Sequence, residues 1–153
     1  MTRWLALSAL LVALDQLSKF AALRALATGS MEVTPFFNLV LVYNRGAAFS
    51  FLSSAPGWQR ELFIGIAAIA SVWVVYLLRK YPRQTLFCFA LSLILGGAIG
   101  NLIDRLWLGA VIDFLDFHAA GYHWPAFNVA DSAITCGAVL LVWENLRPQS
   151  GKR

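Results

Sequence analysis

The chain has 153 residues, of which 59% are hydrophobic and 13% are charged, with a formal net charge of +4 and a mean hydropathy of +0.68. This balance excludes an ordinary soluble domain and indicates a membrane protein. The length excludes a helical bundle joined to a separate soluble enzyme, so we expect a single membrane domain over residues 1 to 153. Because the basic residues are scattered over loops and tails, we expect no nucleic-acid partner.

The first hydrophobic segment predicts a membrane-spanning helix over about residues 4 to 26, since roughly 20 apolar residues cross the hydrocarbon core. Asp15, Gln16 and Lys19 interrupt its apolar run, which argues against a cleavable signal peptide. Asp15 and Lys19 are four residues apart, so they lie on one face and can form an ion pair. A purely structural pair and a role in supporting a site are both open at this point.

The next segment, about residues 33 to 52, is rich in β-branched and aromatic residues around an Asn-Arg-Gly turn at positions 44 to 46. This composition predicts a small β-sheet that lies against the membrane surface between the first two helices. We therefore expect an all-α membrane protein with four transmembrane helices and one small extracytoplasmic sheet.

Three further spans are predicted over about residues 62 to 78, 85 to 103 and 129 to 146. In the third helix, Ser92, Gly96 and Gly100 form a stripe of small residues that allows another helix to approach closely. Asn101 lies within one helical turn of Asp104 and Arg105 at the outer end of the same helix. We expect these three side chains to form a hydrogen-bonded polar cluster.

The distribution of basic residues predicts the orientation of the four helices. Three positively charged residues outside the spans belong to the first and third connections: Arg45, Arg60 and Arg105. Seven belong to the tails and the second connection: Arg3, Arg79, Lys80, Arg83, Arg147, Lys152 and Arg153. The positive-inside rule then places both termini in the cytoplasm.

The connection over about residues 104 to 128 is expected to lie outside the membrane and to contain a partial helix or strand. It carries Asp113, while Asp131 opens the fourth helix three residues after Asn128. Both ends of the connection return to the same membrane surface, so the two carboxylates can meet. Two carboxylates at hydrogen-bonding distance do not both ionise readily, which provides an acid and a base in one site.

The remaining acidic, histidine and cysteine residues of interest are interpreted as surface or packing residues. Asp116 is the competitor of Asp113, but beside His118 we interpret it as a loop surface residue. His118 and His123 are interpreted as ordinary surface histidines and not as zinc ligands. Cys88 and Cys136 lie in apolar runs without metal-ligand spacing and are interpreted as small packing residues.

At these residues the chain resembles a known family. The motifs DQLSK (15–19), NRGAAF (44–49), GGAIGNLIDR (96–105), VIDF (111–114) and FNVAD (127–131) occur in order along nearly the whole chain. Together they resemble the lipoprotein signal peptidases, also called signal peptidase II, which are bacterial aspartyl proteases of the inner membrane. Five motifs in register are specific, although each alone is weak.

The resemblance implies a role for each matching position. Asp113 and Asp131 match the family's catalytic pair. Four residues match positions that line the site and hold the substrate backbone: Asn44, Asn101, Arg105 and Asn128. Four more match positions that support the shape of the site: Asp15, Lys19, Gly97 and Asp104.

The resemblance also implies the reaction. The substrate is a prolipoprotein whose cysteine already carries a diacylglyceryl group, and the signal peptide is cut on the N-terminal side of that cysteine. The implied partners are this substrate, membrane lipids and inhibitors of the globomycin type. No metal or organic cofactor is implied, and we expect a monomer with its active site near the outer face of the membrane.

Two other classes of protein remain as alternatives from the residues alone. A small proton-coupled transporter also needs intramembrane carboxylates, but its site tends to lie near the bilayer midplane, where only Asp15 is predicted. A non-catalytic assembly factor would explain the small-residue stripe but not two carboxylates without evident cations. The sequence does not identify the prolipoproteins that are cut or which carboxyl of the pair is protonated.

Overall fold

A computed structural model describes residues 1–46 and 58–146 of the chain. Within these ranges it contains four long helices: α1 Thr2–Ala25, α2 Trp58–Lys80, α3 Thr85–Trp107 and α4 Val129–Leu146. It also contains four strands: β1 Met31–Thr34, β2 Phe37–Asn44, β3 Val111–Ala119 and β4 Tyr122–His123. The predicted fold class is confirmed, because all four helices are long and apolar enough to cross a membrane.

Helix α3 is the central helix of the bundle. Half of its most apolar window is buried inside the protein, against 11 to 17% in the other three helices. A Cβ atom on Gly96 would lie 2.7 Å from Leu11 Cβ, and one on Gly97 would lie 2.4 Å from the Ala130 carbonyl oxygen. These glycines therefore allow α1 and α4 to approach α3 closely. On the side of α3 that faces α1, this agrees with the prediction that the stripe of small residues allows another helix to approach.

The strands form one antiparallel sheet in the order β1-β2-β3-β4. Its first two strands follow α1, as predicted, whereas β3 and β4 come from the connection between α3 and α4. The hairpin turn between β1 and β2 lies at Pro35 and Phe36, and the part of the sheet predicted after the Asn-Arg-Gly turn lies outside the described residues. Asn44 instead ends β2, and its Oδ1 accepts the Gly46 backbone N–H at 2.9 Å.

A second apolar cluster fixes the sheet against the end of the bundle. Ala22 and Leu26 at the end of α1 pack with Ile112 and Phe114 of β3, and all four side chains are buried. Burial of large aliphatic and aromatic side chains contributes roughly 1.5 to 3 kcal/mol each. The intervening Asp113 is therefore held at a fixed depth beside the helices.

Several predicted features lie outside the described residues or differ from the prediction. Residues 47 to 52 of the predicted sheet, residues 47 to 49 of the NRGAAF motif, and Arg147, Lys152 and Arg153 fall outside. The prediction that both cysteines are packing residues holds only for Cys88, which is buried, whereas Cys136 is exposed.

Candidate active site

The first turn of α4 positions Asp131. Asn128 precedes the helix, and its Oδ1 accepts the Asp131 backbone N–H at 2.9 Å. Asp131 Oδ2 accepts the Asn128 backbone N–H in return, at 3.3 Å. This reciprocal cap satisfies two N–H groups at the helix N-terminus and fixes the carboxylate beside it.

Asp113 lies in β3, opposite Val42 of β2, and only 2% of its surface is exposed. Its Oδ2 accepts a hydrogen bond from Asn44 Nδ2 at 3.0 Å, and its Oδ1 accepts one from Asn128 Nδ2 at 2.7 Å. Burial raises the pKa of Asp113 to about 6, although both amide hydrogen bonds favour the ionised form. The negative charge of Asp131 acts in the same direction as burial.

Asn128 and Asn101 join the two carboxylates into one network. Asn128, which is fully buried, contacts Asp113 through its side-chain nitrogen and Asp131 through its side-chain oxygen. Asn101 Nδ2 donates to Asp131 Oδ1 at 2.8 Å, while its Oδ1 accepts from Asn128 Nδ2 at 3.3 Å. The sequence prediction that Asp113 and Asp131 meet is thus supported by shared partners.

Lys19 anchors this network from α1. Its ammonium group donates to Asp15 Oδ2 at 2.8 Å, Asp104 Oδ2 at 2.8 Å and Asn101 Oδ1 at 3.0 Å, with 2% of the lysine exposed. Since an ammonium group only donates, the third contact requires the oxygen of Asn101 to face Lys19 and its nitrogen to face Asp131. The predicted Asp15–Lys19 pair forms, and it serves to orient Asn101.

Asp15 and Asp104 each connect a helix to one of the segments that carry Asp113 and Asp131. Asp15 Oδ1 accepts the backbone N–H of Ala130 at 2.9 Å, so α1 caps the N-terminus of α4. Asp104 Oδ2 accepts the Ile112 backbone N–H at 3.1 Å, which ties the end of α3 to the residue before Asp113. A Cβ atom on Gly100 would lie 2.5 Å from Asp15 Oδ2, so glycine is needed for this approach.

Arg105 binds the segment that follows β2. Its guanidinium donates to the Gly46 carbonyl oxygen at 3.1 Å and to the Asn101 carbonyl oxygen at 3.3 Å, and it lies 5.1 Å from the centre of the Phe63 ring. Asn101 and Asp104 share Lys19 as a donor, whereas Arg105 donates to backbone carbonyl oxygens, so among the residues described the predicted cluster joins Asn101 and Asp104 but not the Arg105 side chain.

Asp116 differs from its interpretation as a loop surface residue. It lies within β3, only 5% exposed, and its carboxylate accepts from Asn38 Nδ2 at 3.1 Å and contacts His123 Nδ1 at 2.9 Å. Burial alone would raise the pKa of Asp116, but these two hydrogen bonds lower it below its usual value. Partners from the neighbouring strands, Asn38 of β2 and His123 of β4, hold this buried carboxylate, which residue type alone did not indicate.

Sequence reasoning missed two residues that hold the site. Gln16 Nε2 donates to Asp104 Oδ1 at 2.9 Å and to the Gly100 carbonyl oxygen at 3.1 Å. Arg60 Nε donates to the Arg105 carbonyl oxygen at 3.0 Å and thereby satisfies the end of α3. The available signal for Gln16 was its polar side chain beside Asp15 in an apolar helix, whereas Arg60 carried none.

Comparisons with known proteins show the family to which the chain belongs. The family profile described as signal peptidase (SPase) II matches residues 7–147. The chain belongs to the signal peptidase II family. Lipoprotein signal peptidases of Ralstonia nicotianae and Paraburkholderia phymatum are 60% and 57% identical to it, over 94% and 98% of this chain and 84% and 91% of their own lengths.

Two solved structures have the same fold. Both are described as bacterial membrane enzymes, at 32% and 33% identity and TM-scores of 0.85 and 0.80. The alignments cover 100% and 97% of this chain, and 93% and 96% of the two solved chains. This signal peptidase II is therefore a membrane aspartic peptidase and a multi-pass protein of the bacterial inner membrane. The comparisons do not support the transporter alternative.

Proposed function

We propose that this signal peptidase II removes the signal peptide from prolipoproteins with Asp113 and Asp131 as its catalytic pair. The observation that carries the assignment is their connection through one buried amide: Asn128 donates to Asp113 and accepts from the backbone of Asp131. Asp113 comes from β3 and Asp131 from α4, and four polar residues of α1 and α3 hold these two elements in place. Such convergence of costly buried polar groups is characteristic of a functional site.

The proposed reaction is general acid–base hydrolysis. The pair holds one proton between its two carboxyl groups, since burial and mutual repulsion disfavour two negative charges. The ionised carboxylate removes a proton from a water molecule as that water attacks the scissile carbonyl. The protonated carboxyl donates a hydrogen bond to the developing oxyanion, and the proton taken from the water then passes to the departing amide nitrogen as the C–N bond breaks. The reaction needs no metal or organic cofactor.

The surrounding polar residues divide into two proposed groups. Asn44, Asn101, Arg105 and Asn128 bind the peptide backbone or hold the carboxylates toward it. Asp15, Lys19, Gly97 and Asp104 maintain the shape of the site, because they join α1, α3 and α4 at the start of α4 and β3. Asn44, at the end of β2, also donates a hydrogen bond to Asp113 of the proposed pair.

We further propose that the substrate is a diacylglyceryl-modified prolipoprotein, cut on the N-terminal side of its lipidated cysteine. The acyl chains would remain in the outer leaflet while the peptide bond reaches the outer ends of α3 and α4. Both termini are assigned to the cytoplasm and the site to the outer face, from the distribution of basic residues. Globomycin-type inhibitors would occupy the same site, and the enzyme would act as a monomeric membrane domain.

A cleavage assay with purified protein in detergent tests the catalytic pair. The parent cuts diacylglyceryl-modified prolipoprotein, whereas Asp113→Asn and Asp131→Asn abolish cleavage while their melting curves remain cooperative. Glu32→Gln is the matched control, because Glu32 is an exposed carboxylate on the same sheet. Cleavage that survives in either folded variant removes that residue from the pair.

The same assay separates the finer proposals. An unlipidated precursor should be cut far more slowly than the diacylglyceryl form, and equal rates would exclude recognition of the lipid. Asn44→Ala should weaken both turnover and globomycin binding, and unchanged values would remove its proposed role. Alkaline phosphatase fused after Ser30 should be active and a fusion after Arg153 inactive; the opposite pattern would reverse the proposed orientation.

A further inference from the structure

A cavity of about 200 Å³ lies between α1, α3 and the start of β3. Its walls are mostly apolar: Phe20, Leu23, Ile103, Trp107, Leu108 and Ile112. The other three lining residues, Gln16, Lys19 and Asp104, are polar, and we call them the floor of the cavity. Neither Asp113 nor Asp131 lines it, so the cavity is distinct from the proposed catalytic pair although it shares Lys19 and Asp104 with the supporting network.

The floor of the cavity offers acceptors to a ligand and no unused strong donors. All three N–H groups of Lys19 are engaged, by Asp15, Asp104 and Asn101. The two protons of Gln16 Nε2 are shared among Asp15, Asp104 and the Gly100 carbonyl oxygen. Within residues 1–46 and 58–146, Gln16 Oε1 accepts no hydrogen bond. A ligand that reaches this floor must therefore donate.

The formal charge around Lys19 indicates which kind of hydrogen-bond donor the ligand carries. Lys19 carries one positive charge and lies 2.8 Å from two carboxylates, Asp15 and Asp104, which leaves a formal charge of −1. A phosphate or carboxylate would be repelled and would find no donor, whereas an ammonium group supplies both a positive charge and N–H donors. The floor is thus suited to a primary ammonium group.

The position of the cavity indicates the source of that group. Two of the helices that line the cavity, α1 and α3, are long and apolar enough to span a membrane, and two of its lining residues, Phe20 and Trp107, are 51% and 85% exposed. Trp107 ends α3, where tryptophan is favoured at headgroup depth. A molecule that enters here comes from the bilayer, with its polar end at the floor and its acyl chains along the exposed helix faces.

We propose that this cavity is a lipid site that binds the headgroup of phosphatidylethanolamine, separately from the peptidase substrate. Its volume of about 200 Å³ is sufficient for the ethanolamine group but not for an acyl chain as well, and the phosphodiester stays away from the carboxylates of the floor. The bound ammonium compensates the excess carboxylate charge around Lys19. The lipid thereby stabilises the α1–α3 contact on which Asn101 depends.

Native mass spectrometry of the detergent-purified protein tests this proposal with three lipids of matched chain composition. Phosphatidylethanolamine has both charge and N–H donors, phosphatidylcholine has the charge alone, and phosphatidylglycerol has hydroxyl donors without the charge. One phosphatidylethanolamine should bind at least tenfold more tightly than either of the others. Equal retention of all three, or a preference for phosphatidylglycerol, would overturn the proposal.

Cavity-filling variants locate the site. Leu23→Trp and Leu108→Trp place bulk inside the cavity from different elements, and Leu108 is already 47% exposed, so a folded variant is expected. Both should remove the headgroup preference. Leu17→Trp is the matched control, since Leu17 is on α1, is 64% exposed and does not line the cavity. A preference that persists in both folded cavity variants would exclude this location.

Discussion

Asn128 Nδ2 donates to Asp113 Oδ1 at 2.7 Å, the shortest contact that either proposed catalytic carboxylate makes with a side chain among the residues described. The same amide group accepts the Asp131 backbone N–H and donates to the Ile112 carbonyl oxygen at 3.2 Å. One fully buried side chain therefore sets the position of β3 relative to the first turn of α4. The relationship makes Asn128 a structural link as well as a proposed part of the site.

Asn128→Ala should reduce both activity and stability. It leaves the Ile112 carbonyl oxygen and the Asp131 backbone N–H without this partner in a buried environment, which costs roughly 1 to 3 kcal/mol. Thermal unfolding in detergent and the cleavage assay measure the two effects. Asn145→Ala is the control, because Asn145 is exposed and, among the described residues, its side chain donates only to the Leu141 carbonyl oxygen of its own helix. Equal losses in the two variants would contradict the linking role.

Lys19→Met should destabilise the protein strongly. Removing one partner leaves two buried carboxylates, on Asp15 and Asp104, without their cation, and such a loss costs about 3 to 5 kcal/mol. The double variant with Asp15→Asn should recover part of this loss, because one of the two charges is then absent. Unfolding free energies in a double-mutant cycle measure the coupling.

The control variant for this double-mutant cycle is Arg24→Met, on the same helix as Lys19. Arg24 is exposed and lies 4.4 Å from the centre of the Phe20 ring, so its loss should cost no more than about 1 kcal/mol. A Lys19→Met variant as stable as Arg24→Met would show that the buried network contributes nothing to stability.

Gly97→Ala should destabilise the packing of α3 against α4. The new Cβ would lie 2.4 Å from the Ala130 carbonyl oxygen, so the helices must separate, at a cost of roughly 1 to 3 kcal/mol. Because Ala130 lies between Asn128 and Asp131, activity should fall as well. Gly65→Ala in α2 is the control: a Cβ there meets no atom within 4 Å, and alanine favours a helix. Similar effects at the two positions would exclude the close-contact explanation.

The raised pKa of Asp113 predicts a specific dependence of stability on pH. Burial raises its pKa to about 6 from an ordinary value of 3.8, so the folded protein holds this proton more tightly than the unfolded chain. The contribution to stability is complete below about pH 4 and is lost as the pH rises to about 6. Two pKa units correspond to about 3 kcal/mol.

Asp113→Asn cannot titrate and should lack this loss. The unfolding free energy of the parent, measured from pH 4 to pH 7, should therefore decline relative to that of the variant. Glu32→Gln should follow the parent, because Glu32 is exposed on the sheet. If the unfolding free energies of the parent and Asp113→Asn changed in parallel from pH 4 to pH 7, Asp113 would not hold a proton in this range.

The sequence by itself determined the four helices, the sheet after α1 and the two carboxylates of the proposed pair. Apolar length identifies a membrane span directly, since the thickness of the hydrocarbon core is fixed. A charged residue in an apolar segment is costly, so Asp15 and Lys19 indicated a buried pair before any fold was known. The capping role of Asn128 was not predicted, although the spacing of three residues before Asp131 that it needs was visible in the sequence.

Tertiary structure alone decided which strands complete the sheet and which residues share each hydrogen bond. β3 pairs with β2, and the Asn44 side chain donates to Asp113 across 69 residues of sequence, a contact that no local pattern encodes. Burial of Asp116 likewise depends on neighbours from other segments and not on its own residue type. The periodicity of apolar residues along a segment shows which of its faces is buried. It does not show which atom a buried polar group will contact, because that depends on how separate helices and strands pack together.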